Sequence, residues 1–175
     1  TGESLAAGAS ETWTITANFT VNPAQITSAA TTCNVGAEQP GEGFYNFVNG
    51  NITENLTDND ACVKLPDPAI NLVKSATGPS LESDGTYSVV YTITATNSGQ
   101  GPGMYDLVDT FSLAAGIALS SASIDYVPGG EAQTGDVAPA GPGGTLPLSF
   151  VSGATLVTGE SLAAGASETW TITAN

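Results

Sequence analysis

The peptide TGESLAAGASETWTITAN occurs twice in this chain, at residues 1–18 and at residues 158–175. So long a run of unbroken identity arises neither by chance nor by convergence, and the two segments are copies of one element. The second copy starts 157 positions after the first, which sets the period of the polypeptide at 157 residues. Near-identical tandem repetition explains such a period. Duplication of a single strand to complete a fold is the other explanation. On the tandem reading, residues 1–65 are the C-terminal part of one repeat unit and residues 66–175 the N-terminal part of the next.

Both copies contain ETWTITA, in which Trp and Ile share one face and the threonines share the other. Such period-2 alternation marks a strand. It also runs through YSVVYTITAT at 87–96, where it puts Val89, Tyr91, Ile93 and Ala95 together. Further strands are expected at 19–22, 26–34, 43–53, 69–75, 104–111, 117–127 and 145–157. Turn clusters separate them, among them Ser83-Asp84-Gly85, the NSGQGPG run at 97–103, Pro128-Gly129-Gly130 and the GPGG run at 141–144. Gly or Pro interrupts almost every window of helical length, so helices are not expected. About eight to ten short strands at this spacing predict an all-β antiparallel sandwich. Trp13 and its copy Trp170 are expected in its core.

The charge balance removes whole classes of function. The chain has 17 acidic residues against two lysines (Lys64 and Lys74), no arginine and no histidine, for a net charge of −15. Without a basic stripe it cannot neutralise phosphates, so nucleic acid is excluded as a partner. Docking on an anionic membrane surface is opposed for the same reason. The absence of histidine removes the commonest general base and the commonest nitrogen ligand for metals. Neither enzymatic activity nor a resident cofactor is expected. Charged residues make up 11% of the chain, against about 25% in ordinary proteins; hydroxyls and amides make this surface polar instead. No apolar run approaches the roughly 20 residues of a membrane span, and the chain does not open on a signal-peptide pattern. Cys33 and Cys62 either form a disulfide in an oxidising compartment or remain as buried thiols. Together these features point to an extracellular, cell-surface setting, in which the disulfide is expected.

A family resemblance follows from residues 69–127. The run INLVKSA at 70–76 is followed by Gly85-Thr86-Tyr87, then YTITATNSG at 91–99, then YDLVDT at 105–110. This resembles the conserved-repeat, immunoglobulin-like domains found in tandem in bacterial and archaeal surface proteins. Their pattern is a lysine strand, then Gly-x-x-x-x-Tyr-Thr-Ile-x-x-x-Asn-x-Gly, then a valine-rich strand ending in Asp. The resemblance extends more loosely to LAAGASETWTIT and to Gly43-Phe44-Tyr45-Asn46. Here Thr110-Phe111-Ser112-Leu113 stands where the family has Leu-Pro after the Asp. The resemblance implies an extracellular immunoglobulin-like β-sandwich with a structural or adhesive role and no activity on substrates.

Alternation places three polar residues on apolar faces: Lys74 with Ile70 and Leu72, Asp109 with Tyr105, Leu107 and Phe111, and Asn46 with Phe44 and Val48. Burial drives a lysine toward its neutral, nucleophilic form. An isopeptide bond is one reading, similar to that of some pilin and adhesin domains of Gram-positive bacteria. In it the Lys74 amine attacks the carboxamide of the next unit's copy of Asn46 while Asp109 shuttles protons. A buried Lys74–Asp109 salt bridge is the second reading. A lysine whose stem packs while its amine reaches solvent is the third. Asn18, Asn51 and Asn55 head N-glycosylation sequons. Asp58 and Asp60 carry oxygens suited to Ca²⁺, though without an EF-hand frame, and a solvated acidic turn is the plainer reading.

The expected function is structural, with tandem sandwiches building a surface filament, fibre or stalk whose partners are neighbouring copies of itself. The alternative is the spacer of an adhesin that carries a separate binding tip. A secreted enzyme's carbohydrate-binding module, which would take surface glycans as partners, requires a row of exposed aromatics; most aromatics here fall on faces expected to be buried.

Overall fold

The segments with the strictest alternation form the longest strands. The structure is a computed structural model that describes residues 4–34, 36–50, 59–127, 144–146 and 154–175. Two short strands come first, β1 (Asn46–Phe47) and β2 (Asp60–Ala61). Seven more follow: β3 (Ile70–Leu81), β4 (Tyr87–Asn97), β5 (Gly103–Asp109), β6 (Ala122–Val127), β7 (Gly144–Leu146), β8 (Ala154–Leu162) and β9 (Ser167–Ala174). No α-helix occurs among the described residues. All pairings are antiparallel: a five-stranded sheet in the order β3-β4-β9-β6-β7, a two-stranded sheet β5-β8, and the small pair β1-β2.

The core lies between the five-stranded sheet and the β5-β8 sheet. Ile93, Ala95, Ile124, Trp170 and Ile172 come from the first and Tyr105, Leu107, Leu156, Val157 and Leu162 from the second. Each large side chain so buried contributes about 1.5–3 kcal/mol. The alternation in β5 is strict, with Gly103, Tyr105, Leu107 and Asp109 buried between exposed Met104, Asp106 and Val108. In β8, Leu156 and Val157 are both buried although adjacent. The pairing register with β5 shifts at this point, and such a bulge lets consecutive side chains turn inward.

β9 is the centre of the large sheet. On one side it pairs with β4 (Ile93 opposite Trp170, Tyr91 opposite Ile172), and on the other with β6 (Tyr126 opposite Trp170, Ile124 opposite Ile172). Trp170 and Ile172 have no exposed surface. The first copy of the same peptide is different. Residues 11–17 form no strand, and Trp13 and Ile15 are 79% and 76% exposed. The expected strand and the expected burial of Trp13 are thus both overturned. A strand exists only by pairing, and the edges of β4 and β6 that fit this sequence are occupied by β9.

Other expected strands change for local reasons. Residues 19–22 find no partner strand. The 26–34 segment contains a 3-10 turn at Ser28–Thr31, preceded by another at Pro23–Gln25 in which Asn22 Oδ1 accepts the Ala24 N–H at 3.1 Å. Within 43–53 only Asn46–Phe47 pairs, and residues 51–53 lie outside the described residues. The 117–127 strand begins at Ala122, because the Ile117 N–H closes a turn onto the Ala114 carbonyl. Of 145–157, residues 147–153 lie outside the described residues, as do the turns at 128–130 and 141–143, and β8 runs on to Leu162.

The described parts of the 19–65 region are tied together by the Cys33–Cys62 disulfide, with Cα atoms 5.7 Å apart. The Phe44 N–H donates to the Val63 carbonyl at 2.7 Å, and the Leu65 N–H donates to the Ala30 carbonyl at 2.9 Å. Gly43 has a positive φ, and a Cβ there would collide with the Val63 carbonyl oxygen. A segment with so little apolar core leans on its cross-link. Reduction is expected to cost this segment about 3 kcal/mol through loop-closure entropy. Hydrogen exchange after reduction and alkylation checks this: amides of Phe44 and Leu65 lose protection while those of β4 and β9 keep theirs.

Candidate functional site

Three polar constellations and one unpaired segment stand out. The first is built on Asn97, at the end of β4, which is fully buried. Its Oδ1 accepts the N–H groups of Ala69 at 2.9 Å and Gly99 at 3.0 Å. Its Nδ2 donates to the carbonyls of Gly101, Leu162 and Ala163 at 2.9, 3.0 and 3.2 Å. One side chain therefore ties together the segment leading into β3, the 97–103 turn and the connection from β8 to β9. The glycines of that turn are dictated by contact, since a Cβ at Gly101 would collide with the Pro66 carbonyl oxygen. This explains the Asn-x-Gly spacing physically: the 97–103 segment is more than a turn, because Asn97 anchors it to distant parts of the chain.

The second constellation is buried between the sheets. The Tyr105 hydroxyl donates to Glu168 Oε2 at 2.6 Å and accepts from Trp170 Nε1 at 3.2 Å. Glu168 and Glu160 are each only 2% exposed. Desolvation, reinforced by the Glu168 hydrogen bond, pushes the Tyr105 pKa well above its usual value. A raised folded-state pKa gives stability that is fully present below about pH 10, the unfolded tyrosine value, and is lost as pH climbs beyond it. Alkaline denaturation is therefore expected above about pH 10, as Tyr105 ionises. Tyrosinate absorbance followed beside circular dichroism checks this: ionisation of Tyr105 should coincide with unfolding. Glu168 was legible in principle, since it shares the alternating face of Trp170 and Ile172.

The third is the pair formed by Lys74 on β3 and Asp109 on β5. Lys74 Nζ lies 2.5 Å from Asp109 Oδ1, and their side chains are 39% and 9% exposed. The ammonium also sits 4.9 Å from the Tyr91 ring centroid, a favourable cation–π position. Asp109 Oδ2 is buried without a hydrogen-bond partner. Lys74→Met is expected to cost about 1–3 kcal/mol, because it strands the Asp109 carboxylate. The Lys74→Met/Asp109→Leu double variant should recover most of that loss in chemical denaturation.

The other sequence candidates are dispersed. Asn46, expected to face inward, is exposed on β1 in the separate small sheet, where among the described residues β1 pairs only with β2. Asn18 is exposed. Asp60 is half-buried on β2; Asn51, Asn55 and Asp58 lie outside the described residues. Among the described residues no three His, Cys, Asp or Glu side chains gather as a metal site. The aromatics are less buried than alternation implied: Trp13, Phe19 and Phe47 are exposed on segments without a covering sheet, and Tyr87 is exposed at the start of β4.

The fourth feature is the first copy itself. Residues 4–18 carry the same side chains as 161–175, yet the apolar ones stand in solvent. Comparison of the chain with known protein families, with curated proteins and with solved structures finds no match.

Proposed function

We propose that this chain is a segment of an extracellular structural protein, in which immunoglobulin-like sandwiches of 157-residue period repeat in tandem to build a surface filament, fibre or stalk. One observation carries the reading. The sequence SETWTITA is the buried central strand at residues 167–174 and lacks any sheet at residues 10–17. In a tandem array each copy has a body of its own to complete. The Asn97 knot supports the reading, because it fixes how the segment before β3 meets each body and so gives every junction the same geometry. A disulfide, a surface rich in hydroxyls and amides and an all-antiparallel β body suit a protein exposed outside a cell.

The test is negative-stain electron microscopy of native, unfragmented material. Uniform fibres are expected, with an axial repeat on the order of 40–60 Å, given that a 12-residue strand such as β3 is about 40 Å long. Isolated beads, or rods ending in a distinct head, would sink the filament and favour the adhesin spacer.

A further inference from the structure

The alternation that builds β9 runs further in the other copy of its sequence. Residues 11–22 read ETWTITANFTVN, with Glu11, Trp13, Ile15, Ala17, Phe19 and Val21 on one face and threonines and asparagines on the other. In the body the matching face of β9 is the buried one: Glu168, Trp170, Ile172 and Ala174 point inward between the sheets. Period-2 geometry therefore puts a copy of Phe19, and after it a copy of Val21, on the inward side of a strand continued beyond Asn175. That side opens on an apolar groove of about 580 Å³. Tyr87, Val89 and Tyr91 of β4 line it from one sheet, and Leu113, Ile117 and Leu119 line it from the connection between β5 and β6. We infer that this groove is the seat of the segment that follows Asn175 in the repeating polypeptide, a copy of residues 19–22, with its Phe and Val side chains inside. The inference rests on the tandem reading, because the repeat is what names the segment.

Three observations select this occupant. The first is register. Ala174 lies opposite Val89 on β4 and opposite Ala122 on β6, so the next inward residue of the strand falls opposite Tyr87, an exposed ring in the groove. The second is delivery. The Asn175 N–H donates to the Ser121 carbonyl at 2.9 Å, and the Asn175 carbonyl accepts the N–H groups of Ser120 and Ser121 at 2.6 and 3.1 Å. Asn175 and Ser120 both line the groove, so the peptide leaving Asn175 is held at its edge and an extended chain enters it without a turn. The third is chemistry. The segment brings two apolar side chains to an apolar lining, and its threonine and asparagine stay on the outer face, where the Thr169, Thr171 and Thr173 side of β9 already lies. Phe19 itself stands 4.9 Å from Phe44 between ring centroids and is 65% exposed. Its packing within the 19–65 region therefore leaves ring surface for a second partner, and the ring can join a body to the disulfide-tied region that follows it.

The test is the full chain lengthened at its C-terminus by Phe-Thr-Val-Asn, beside the same chain lengthened by Ser-Thr-Ser-Asn, which keeps the backbone and removes the two apolar side chains. Thermal unfolding of the first is expected roughly 5–10 °C above that of the second. The gain should fall to less than half when the groove carries Leu113→Ser and Ile117→Ser. Both side chains are exposed before the chain is lengthened, so the body folds without them. Light scattering should give the mass of a monomer throughout, because the groove is filled from within the chain. Equal unfolding temperatures overturn the proposal, and so does a gain that Leu113→Ser and Ile117→Ser leave whole, which would seat the segment elsewhere. A dimer formed by the Phe-Thr-Val-Asn chain alone also overturns it, since a second copy would then supply the occupant. The lengthened chain is made by design, so its result is separate from that of the native material. A gain without native fibres sinks the filament reading alone, and fibres without a gain sink the groove assignment alone.

Discussion

Trp170→Ala is expected to lower the stability of the body by about 3–5 kcal/mol, the cost of emptying a fully buried aromatic site. Trp13→Ala, the same change in the same 18-residue sequence, is expected to alter it by no more than about 0.5 kcal/mol. The difference is entirely one of place. Trp170 has no exposed surface and donates its indole N–H to Tyr105, while Trp13 is 79% exposed. Thermal unfolding of the two variants, recorded at a concentration low enough to keep the chain monomeric, should separate them by roughly 10 °C. Equal effects would mean that the two copies exchange freely within one chain.

Asn97→Ala is expected to cost about 3–5 kcal/mol, because it removes several hydrogen bonds at a site with no access to water. Two backbone N–H groups and three carbonyls lose their side-chain partner at once. Asn97→Asp is expected to be at least as damaging. It keeps the acceptor for Ala69 and Gly99, but loses the donor and sets a carboxylate oxygen against the carbonyls of Gly101, Leu162 and Ala163. Hydrogen exchange supplies the check: the amides of Ala69 and Gly99 should lose protection before those at the middle of β4. Retention of their protection in Asn97→Ala would show that the 97–103 turn holds itself.

Much of the body was legible from residue order, and the reason is the pleat. β4, β5 and β9 alternate so regularly that which side chains face inward follows from spacing alone, including Asp109 and Tyr105. The same reasoning failed for Asn46, because a two-residue pairing in a segment tied by a disulfide has no wide apolar face to orient it. Asn97 was visible as part of a turn motif, but its partners at Ala69, Leu162 and Ala163 come from segments far apart in the chain. No local pattern signals such convergence. The Lys74–Asp109 pair stands between these cases: alternation placed both inward, but only Asp109 is buried, while β3 is exposed at Leu72 and Lys74 and the lysine meets the carboxylate from a half-exposed position.

By itself the sequence determined that this protein is built of β-strands, which residues share a face, and that one strand is written twice. Only the tertiary structure decided which copy is a strand. The two peptides have identical propensities, identical alternation and identical apolar content. A helix satisfies its hydrogen bonds within its own segment, whereas a strand borrows them from neighbours. Residues 167–174 have β4 and β6 as neighbours and residues 10–17 have none, so the same sequence is a buried central strand at one place in the chain and an exposed, unpaired one at the other.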